Sequence, residues 1–231
     1  MMLLKDLKAN FIDAAGDYLY LLDKSYSGKA ALKIVGDRYG LSGPERHILL
    51  RGIDSRVQSV FREGKLIREI SGRVLSVDFY NVVFTLENFL YGRPVFISSD
   101  GMLRDIGSVF SDKKDKKVFL QAVSLLLEGS GRLAGGLSEI VFYLDSPVSG
   151  SGDTAAGLNR SLSDRGINGR AETVKSPDFV LKNLQEGVIA TSDSVIIQDS
   201  QVPVFDLARF VLQPLISAFY DLRDFRRFFD E

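Results

Sequence analysis

The chain of 231 residues has no cysteine and a single histidine, His47. Without thiols there can be no disulfide, thiolate metal site, iron–sulfur cluster or cysteine nucleophile. One imidazole rules out any centre built on two or three histidines, the usual zinc chemistry included. Long apolar runs are missing too: nothing approaches the ~20 residues of a membrane span. The opening MMLLKDLKANFIDAAGDYLYLL is broken by Asp6, Lys8, Asp13 and Asp17, which is unlike a signal peptide. These absences lead us to expect a soluble, cytoplasmic protein with no membrane partner. Any chemistry must come from carboxylates, hydroxyls and cations.

Charge of one sign is also lacking, with a net of −1 from 29 basic and 30 acidic residues. Residues 1–70 carry 12 Lys/Arg against 9 Asp/Glu, and residues 71–231 carry 17 against 21. That asymmetry is small and fits solvated helical surface better than a nucleic-acid-binding face.

What is present divides the chain at Ser71–Gly72. Before it, apolar residues recur at helical spacing (Leu3, Leu4, Leu7, Phe11, Ala14, Ala15), and further helices fit Ala30–Tyr39, the stretch opened by Ser42, Pro44 and Glu45, and Ser55–Arg62. No strand is expected before Arg73. After it, apolar runs alternate with helical segments: strands at 73–77, 94–97, 139–144, 170–174 and 187–191, and helices over 81–91, 116–127, 153–163 and 177–184. A last helix, over 206–229, is expected to kink or restart at Pro214. The pattern predicts a small all-α domain over 1–70, then an α/β domain over 71–231 with a mostly parallel sheet covered on both faces.

An acid stands at or just past the end of four predicted strands: Asp78, Asp100, Asp145 and Asp193. Parallel strands share one carboxyl edge, where ligands bind. Acids that converge there repel one another and call for a hard cation such as Mg²⁺ or Mn²⁺. The plain alternative is that individual acids serve as helix caps or turn residues, and Asp178 sits in the first turn of a predicted helix.

The segment SPDFVLKNLQEGVIATSDSVI, Ser176 to Ile196, has an acid at a helix start, a turn, an apolar strand and then Thr-x-Asp. It resembles the C-terminal half of PIN-like nuclease domains. RVLSVDFYNVVF is similar to that family's first strand, acid and helix, while ISSDGMLRD and YLDSPVSGSGD look like a largely prokaryotic family that joins a helical N-terminal part to such a domain. The resemblance covers roughly residues 73–210. It implies a three-layer PIN-like fold and metal-dependent phosphodiester hydrolysis, usually of RNA. Asp78, Asp178 and Asp193 would hold Mg²⁺ or Mn²⁺, and Thr191 or Ser192 would help orient the attacking water. Asn81 stands near the place of the family's asparagine. Glu87, Asp100, Asp105 and Asp145 compete for the mid-domain acid.

Ser149-Gly150-Ser151-Gly152 could turn backbone N–H groups toward a phosphate, with Ser149, Ser151 and Gly152 as contacts, although it lacks the lysine of a P-loop. Arg104, Lys113, Lys114, Lys116 and Lys117 form a basic stretch better explained by solvation. Ala31–Ile53 has a helix–Gly–helix rhythm, with Arg46 and Arg51 able to face phosphates, but an ordinary helical hairpin explains it better. Phe219, Tyr220, Phe225, Phe228 and Phe229 are expected to seal a core or a homo-oligomer interface. Two other functions stay open: a non-catalytic RNA- or partner-binding regulator, and an α/β enzyme acting on a small phosphorylated substrate.

Overall fold

In a computed structural model, which describes residues 10–107 and 115–223, the chain packs as two units. The first comprises residues 1–64, 88–114 and 216–231, and the second 65–87 and 115–215. The described residues before 64 are helical as expected, and the units divide the chain at 64–65 and again at 87–88, 114–115 and 215–216 rather than once at 70. The first unit is interleaved in sequence, because strands that follow the second unit's first strand join the N-terminal helices. Among the described residues no helix is long and apolar enough to cross a membrane.

The helices of the first unit are α1 (Phe11–Asp23), α2 (Gly28–Arg38), α3 (Gly43–Gly52) and α4 (Arg56–Glu63). Their starts are local chemistry. Ser27 and Ser55 accept from the third backbone N–H beyond them, and Ser42 and Glu45 form a reciprocal capping box with Pro44 in the first turn. Phe11, Tyr18, Val35, Ile48 and Leu49 are buried together as the core. Arg46 is tied to Asp37 at 2.9 Å and to the Leu41 carbonyl at 3.0 Å, so it braces the α2–α3 hairpin.

This unit is not all-α. Strand β2 (Val95–Ile97) pairs antiparallel with β3 (Leu103–Asp105) and parallel with β7 (Tyr220–Asp221). The 94–97 run was expected on the large parallel sheet. It turns instead into a hairpin through Ser98-Ser99-Asp100-Gly101, where Gly101 takes φ 83° and the Ser98 N–H donates to the Met102 carbonyl at 2.9 Å. Asp100 is therefore a hairpin residue. Its carboxylate accepts from Arg62 and Arg104 at 2.7 Å each and from the Ser98 hydroxyl at 2.7 Å, all buried.

The second unit holds β1 (Val74–Asp78), β4 (Glu139–Asp145), β5 (Gly169–Val174) and β6 (Val188–Ala190) in one sheet, in the order β5-β4-β1-β6 with every pair parallel. The connections contain α5 (Phe79–Leu90), which runs on into the first unit from Asn88, and α6 (Lys116–Ala134), α7 (Ser151–Asp164) and α8 (Pro177–Lys182). After β6 come α9 (Ser194–Asp199) and α10 (Leu207–Leu212). The rings of Phe79, Phe119 and Phe142 pack edge to face, with centroids 6.1 and 6.4 Å from Phe79. This α/β architecture with a parallel sheet agrees with the sequence reading.

The helix expected over 206–229, kinked or restarted at Pro214, is corrected beyond that proline: the described residues form α10, a 3₁₀ turn at Gln213–Leu215, and then the short β7 of the other unit. Pro214 has no N–H to continue the helix. Residues 1–9, Lys113, Lys114, Phe225, Phe228 and Phe229 lie outside the described residues.

Gly187 precedes β6 with φ 90°, and a Cβ there would stand 2.9 Å from the Val74 carbonyl of β1. Gly187→Ala is expected to cost about 1–3 kcal/mol, from left-handed strain and displaced pairing. Chemical denaturation checks this, and an unchanged midpoint would contradict it.

Candidate functional site

The sheet order creates a switch point. From β1 the chain moves outward through β4 to β5, then returns to the opposite side of β1 for β6. Crevices open at the carboxyl ends of strands where the direction reverses, here at β1 and β6. Asp78 closes β1, and Thr191-Ser192-Asp193 follow β6, with Val77 in register with Ala190.

Asp78 is only 6% exposed. Its Oδ2 accepts from the Thr191 hydroxyl at 3.0 Å, and its Oδ1 takes a long contact of 3.5 Å from the Asn81 N–H. The Asn81 Oδ1 accepts from the Ser192 N–H at 2.8 Å and the Ser192 hydroxyl at 3.0 Å. The Thr191 oxygen in turn accepts from the Asp193 N–H at 3.2 Å. Two segments more than a hundred residues apart are thereby locked together. The three-residue offset of Asn81 from Asp78 is what lets its amide reach Ser192.

Burial pushes the Asp78 carboxyl up. The Thr191 and Asn81 hydrogen bonds offset part of that, and the charges of Asp178 and Asp145 raise it further, to about 7. Asp145, at the end of β4, is likewise raised by burial and then by Asp178. Asp78, Asp145 and Asp178 thus share one electrostatic environment. The described salt bridges bring no Lys or Arg to any of the three. Asp178 lies exposed in the first turn of α8, which Ser176 caps.

Asp193 is also a helix cap. Its Oδ1 accepts from the Val195 and Ile196 N–H groups at 2.8 and 3.1 Å, opening α9. The far end of α9 is closed by Lys65, whose Nζ donates to the carbonyls of Ile197, Gln198 and Ser200 at 2.7, 2.9 and 2.7 Å. Among the described residues no three His, Asp or Glu side chains form a group able to hold a metal ion.

Of the four rivals for the mid-domain acid, Asp145 is the one whose charge raises Asp78. Asp100 is corrected as an assisting residue, because its carboxylate is committed to Arg62 and Arg104 in the first unit. Asp105, also in the first unit, accepts from the Asn88 amide and the Gly107 N–H at 2.8 Å each. Glu87 is buried on α5.

In the Ser149–Gly152 turn, which leads from β4 into α7, Gly150 caps the helix at φ 78° and Ser151 is buried. The Ser151 hydroxyl donates to the Ser146 carbonyl at 3.4 Å, so it is used within the loop. Ser149 and Gly152 are exposed.

Sequence reasoning missed Tyr80. The residue is buried, and burial raises its pKa first, with Thr154 of α7 lowering it and the charge of Asp145 raising it. Thr154 lies 74 positions from Tyr80 in the chain, and no local pattern marks the pair.

A family model described as "Domain of unknown function (DUF5616)" matches residues 67–210, and a second, "Protein of unknown function (DUF434)", matches residues 10–65. A Methanocaldococcus jannaschii protein named "Uncharacterized protein MJ0935" is 32% identical over 191 residues, which cover 82% of this chain and 89% of that protein. No solved structure matches the chain.

Proposed function

The chain belongs to the DUF5616 family, and from its site we propose that it is a nuclease that hydrolyses the phosphodiester bonds of RNA with a carboxylate-bound Mg²⁺ or Mn²⁺. The observation that carries this reading is the set of mutually repelling acids, Asp78, Asp145 and Asp178, at the switch point of a parallel sheet, with no salt bridge to a basic side chain among the described residues. The likeness of Asp78, Asp178 and Thr191-Ser192-Asp193 to PIN-like domains supports it.

The residues fit such an ion in donor chemistry, since every side chain offered is an oxygen ligand. Mg²⁺ keeps several waters and takes one or two protein carboxylates directly, so the want of a tight three-acid group is compatible with binding. Asp78 and Asp178 would hold the ion, with Asp145 near in charge and Asp193 joined to the site through its N–H to Thr191. When bound, it supplies Lewis acidity toward a phosphate and acidifies a bound water.

This chain's own residues do the positioning. Thr191 fixes one oxygen of Asp78 and leaves the other weakly engaged at 3.5 Å. Asn81 holds Ser192, so the Thr191–Asp193 turn keeps its geometry.

Mn²⁺ at a hundred times its dissociation constant is expected to raise the melting temperature by roughly 5–10 °C. Asp78→Asn and Asp178→Asn should lose most of that shift. Cleavage of single-stranded RNA should require the ion and stop with EDTA. Equal Mn²⁺ shifts in the wild type and both variants would overturn the ligand set. RNA retained without cleavage would instead support a binding regulator.

A further inference from the structure

Next to the acids is an apolar side chain that the fold leaves in water. Phe179 directly follows Asp178 and is 69% exposed, an unusual state for a phenylalanine beside a charged site. It does not close the unit's core: Pro177 and Leu181 are the buried residues of α8. Its backbone is fixed, because its N–H donates to Ser176 Oγ at 3.2 Å and its carbonyl accepts from the Asn183 amide at 2.7 Å. Lys182, one turn on, bonds Asp199 at 3.1 Å and ties α8 to α9. The ring is thus presented on a braced segment. On the other side of Asp178, exposed Lys175 has no described acidic partner.

The segment Lys175–Phe179 therefore sets a cation, an acid of the candidate site and an exposed aromatic face within five consecutive residues, at the carboxyl end of β5. A polynucleotide offers the complement: phosphate for the ammonium, a planar base for the ring, and the scissile phosphate for the carboxylate-held cation. A base within a duplex has both faces covered by its neighbours and cannot lie on Phe179.

We infer that Phe179 is a base-stacking platform at the rim of the carboxylate site and Lys175 a contact to an adjacent phosphate, so that the substrate is taken up as an unpaired strand. This rests on the nuclease reading of the same site. It adds two substrate-contacting residues that lie outside the set of acids.

The chain contains no tryptophan, so Phe179→Trp installs a single reporter at the position in question. The full chain carrying it would be titrated with a short oligoadenylate in EDTA, where no cleavage occurs. We expect quenching of its fluorescence by the oligoadenylate, and none by an abasic ribose-phosphate strand of equal length. Phe179→Ala should weaken oligoadenylate binding by about tenfold in fluorescence anisotropy. Lys175→Gln should lower the slope of log affinity against log salt by about one.

No quenching by the oligoadenylate, equal quenching by the abasic strand, or unchanged affinity in Phe179→Ala would overturn the inference. The last result would assign the exposed ring to a protein partner instead. Mn²⁺ plays no part in this assay. Quenching in a protein that Mn²⁺ neither stabilises nor activates would sink the nuclease reading and leave the stacking platform standing.

Discussion

Asp100→Asn is expected to destabilise the protein by about 3–5 kcal/mol at pH 7, lowering the melting temperature by roughly 10 °C. Asp100 is fully buried between Arg62 and Arg104, which are 3% and 4% exposed. Burial alone would push its carboxyl up, but Arg104, the Ser98 hydroxyl and Arg62 together bring it down to about 2. The substitution keeps the shape and removes the negative charge. Asp54 still pairs with Arg62, and Arg104 keeps its bonds to the Arg51 carbonyl at 3.2 Å and the Ser98 hydroxyl at 3.0 Å, but both arginines lose the carboxylate they share. Removing a fully buried charge that two buried guanidinium groups share is what makes the loss large. Because the folded carboxyl lies below its ordinary value, the wild type keeps this contribution above about pH 4 and loses it as the pH falls toward 2. The variant should show no such acid-dependent loss. Denaturation curves at pH 7 and pH 3 check both parts, and a change below about 1 kcal/mol at pH 7 would contradict the network's role.

Asp78→Asn should act in the opposite direction. The folded carboxyl sits near pH 7 against an ordinary 3.8, so between those values the folded chain holds a proton that the unfolded chain releases. Stability from this group is therefore present at low pH and declines as the pH rises through roughly 4 to 7. A difference of about three pH units corresponds to ~4 kcal/mol. At pH 8 the asparagine variant is expected to be more stable than the wild type by up to about that amount, while near pH 4 the two converge. The asparagine Oδ1 can still accept from Thr191, so the hydrogen bond that orders the site is kept. Added Mn²⁺ should narrow the gap at pH 8 by raising the wild type alone. Parallel stability–pH curves for the two proteins would rule out a strained, buried Asp78.

The contrast between these two acids marks what could be read beforehand. Both follow short apolar runs, VLSVD and VFISSD, and in the sequence they look alike. One ends a central parallel strand and the other turns a hairpin. The difference lies in which strand each run pairs with, and pairing partners are chosen by contacts far away in the chain. The helix cap at Ser42 was legible because its hydrogen bonds close within three residues. The break at Pro214 was legible from its missing N–H, but the strand that follows at Tyr220–Asp221 was not, because the apolar pattern past the proline reads equally as a restarted helix.

The acids at the ends of β1, β4 and β6 and the exclusion of thiol and multi-histidine chemistry belong to the sequence alone, since composition and the period of two need no partner. Folding decided that Asp145 joins Asp78 and Asp178, that Asp100 is neutralised by two arginines, and that Tyr80 feels the charge of Asp145. Charge interaction depends on distance and on the water excluded between groups, and the tertiary structure sets both.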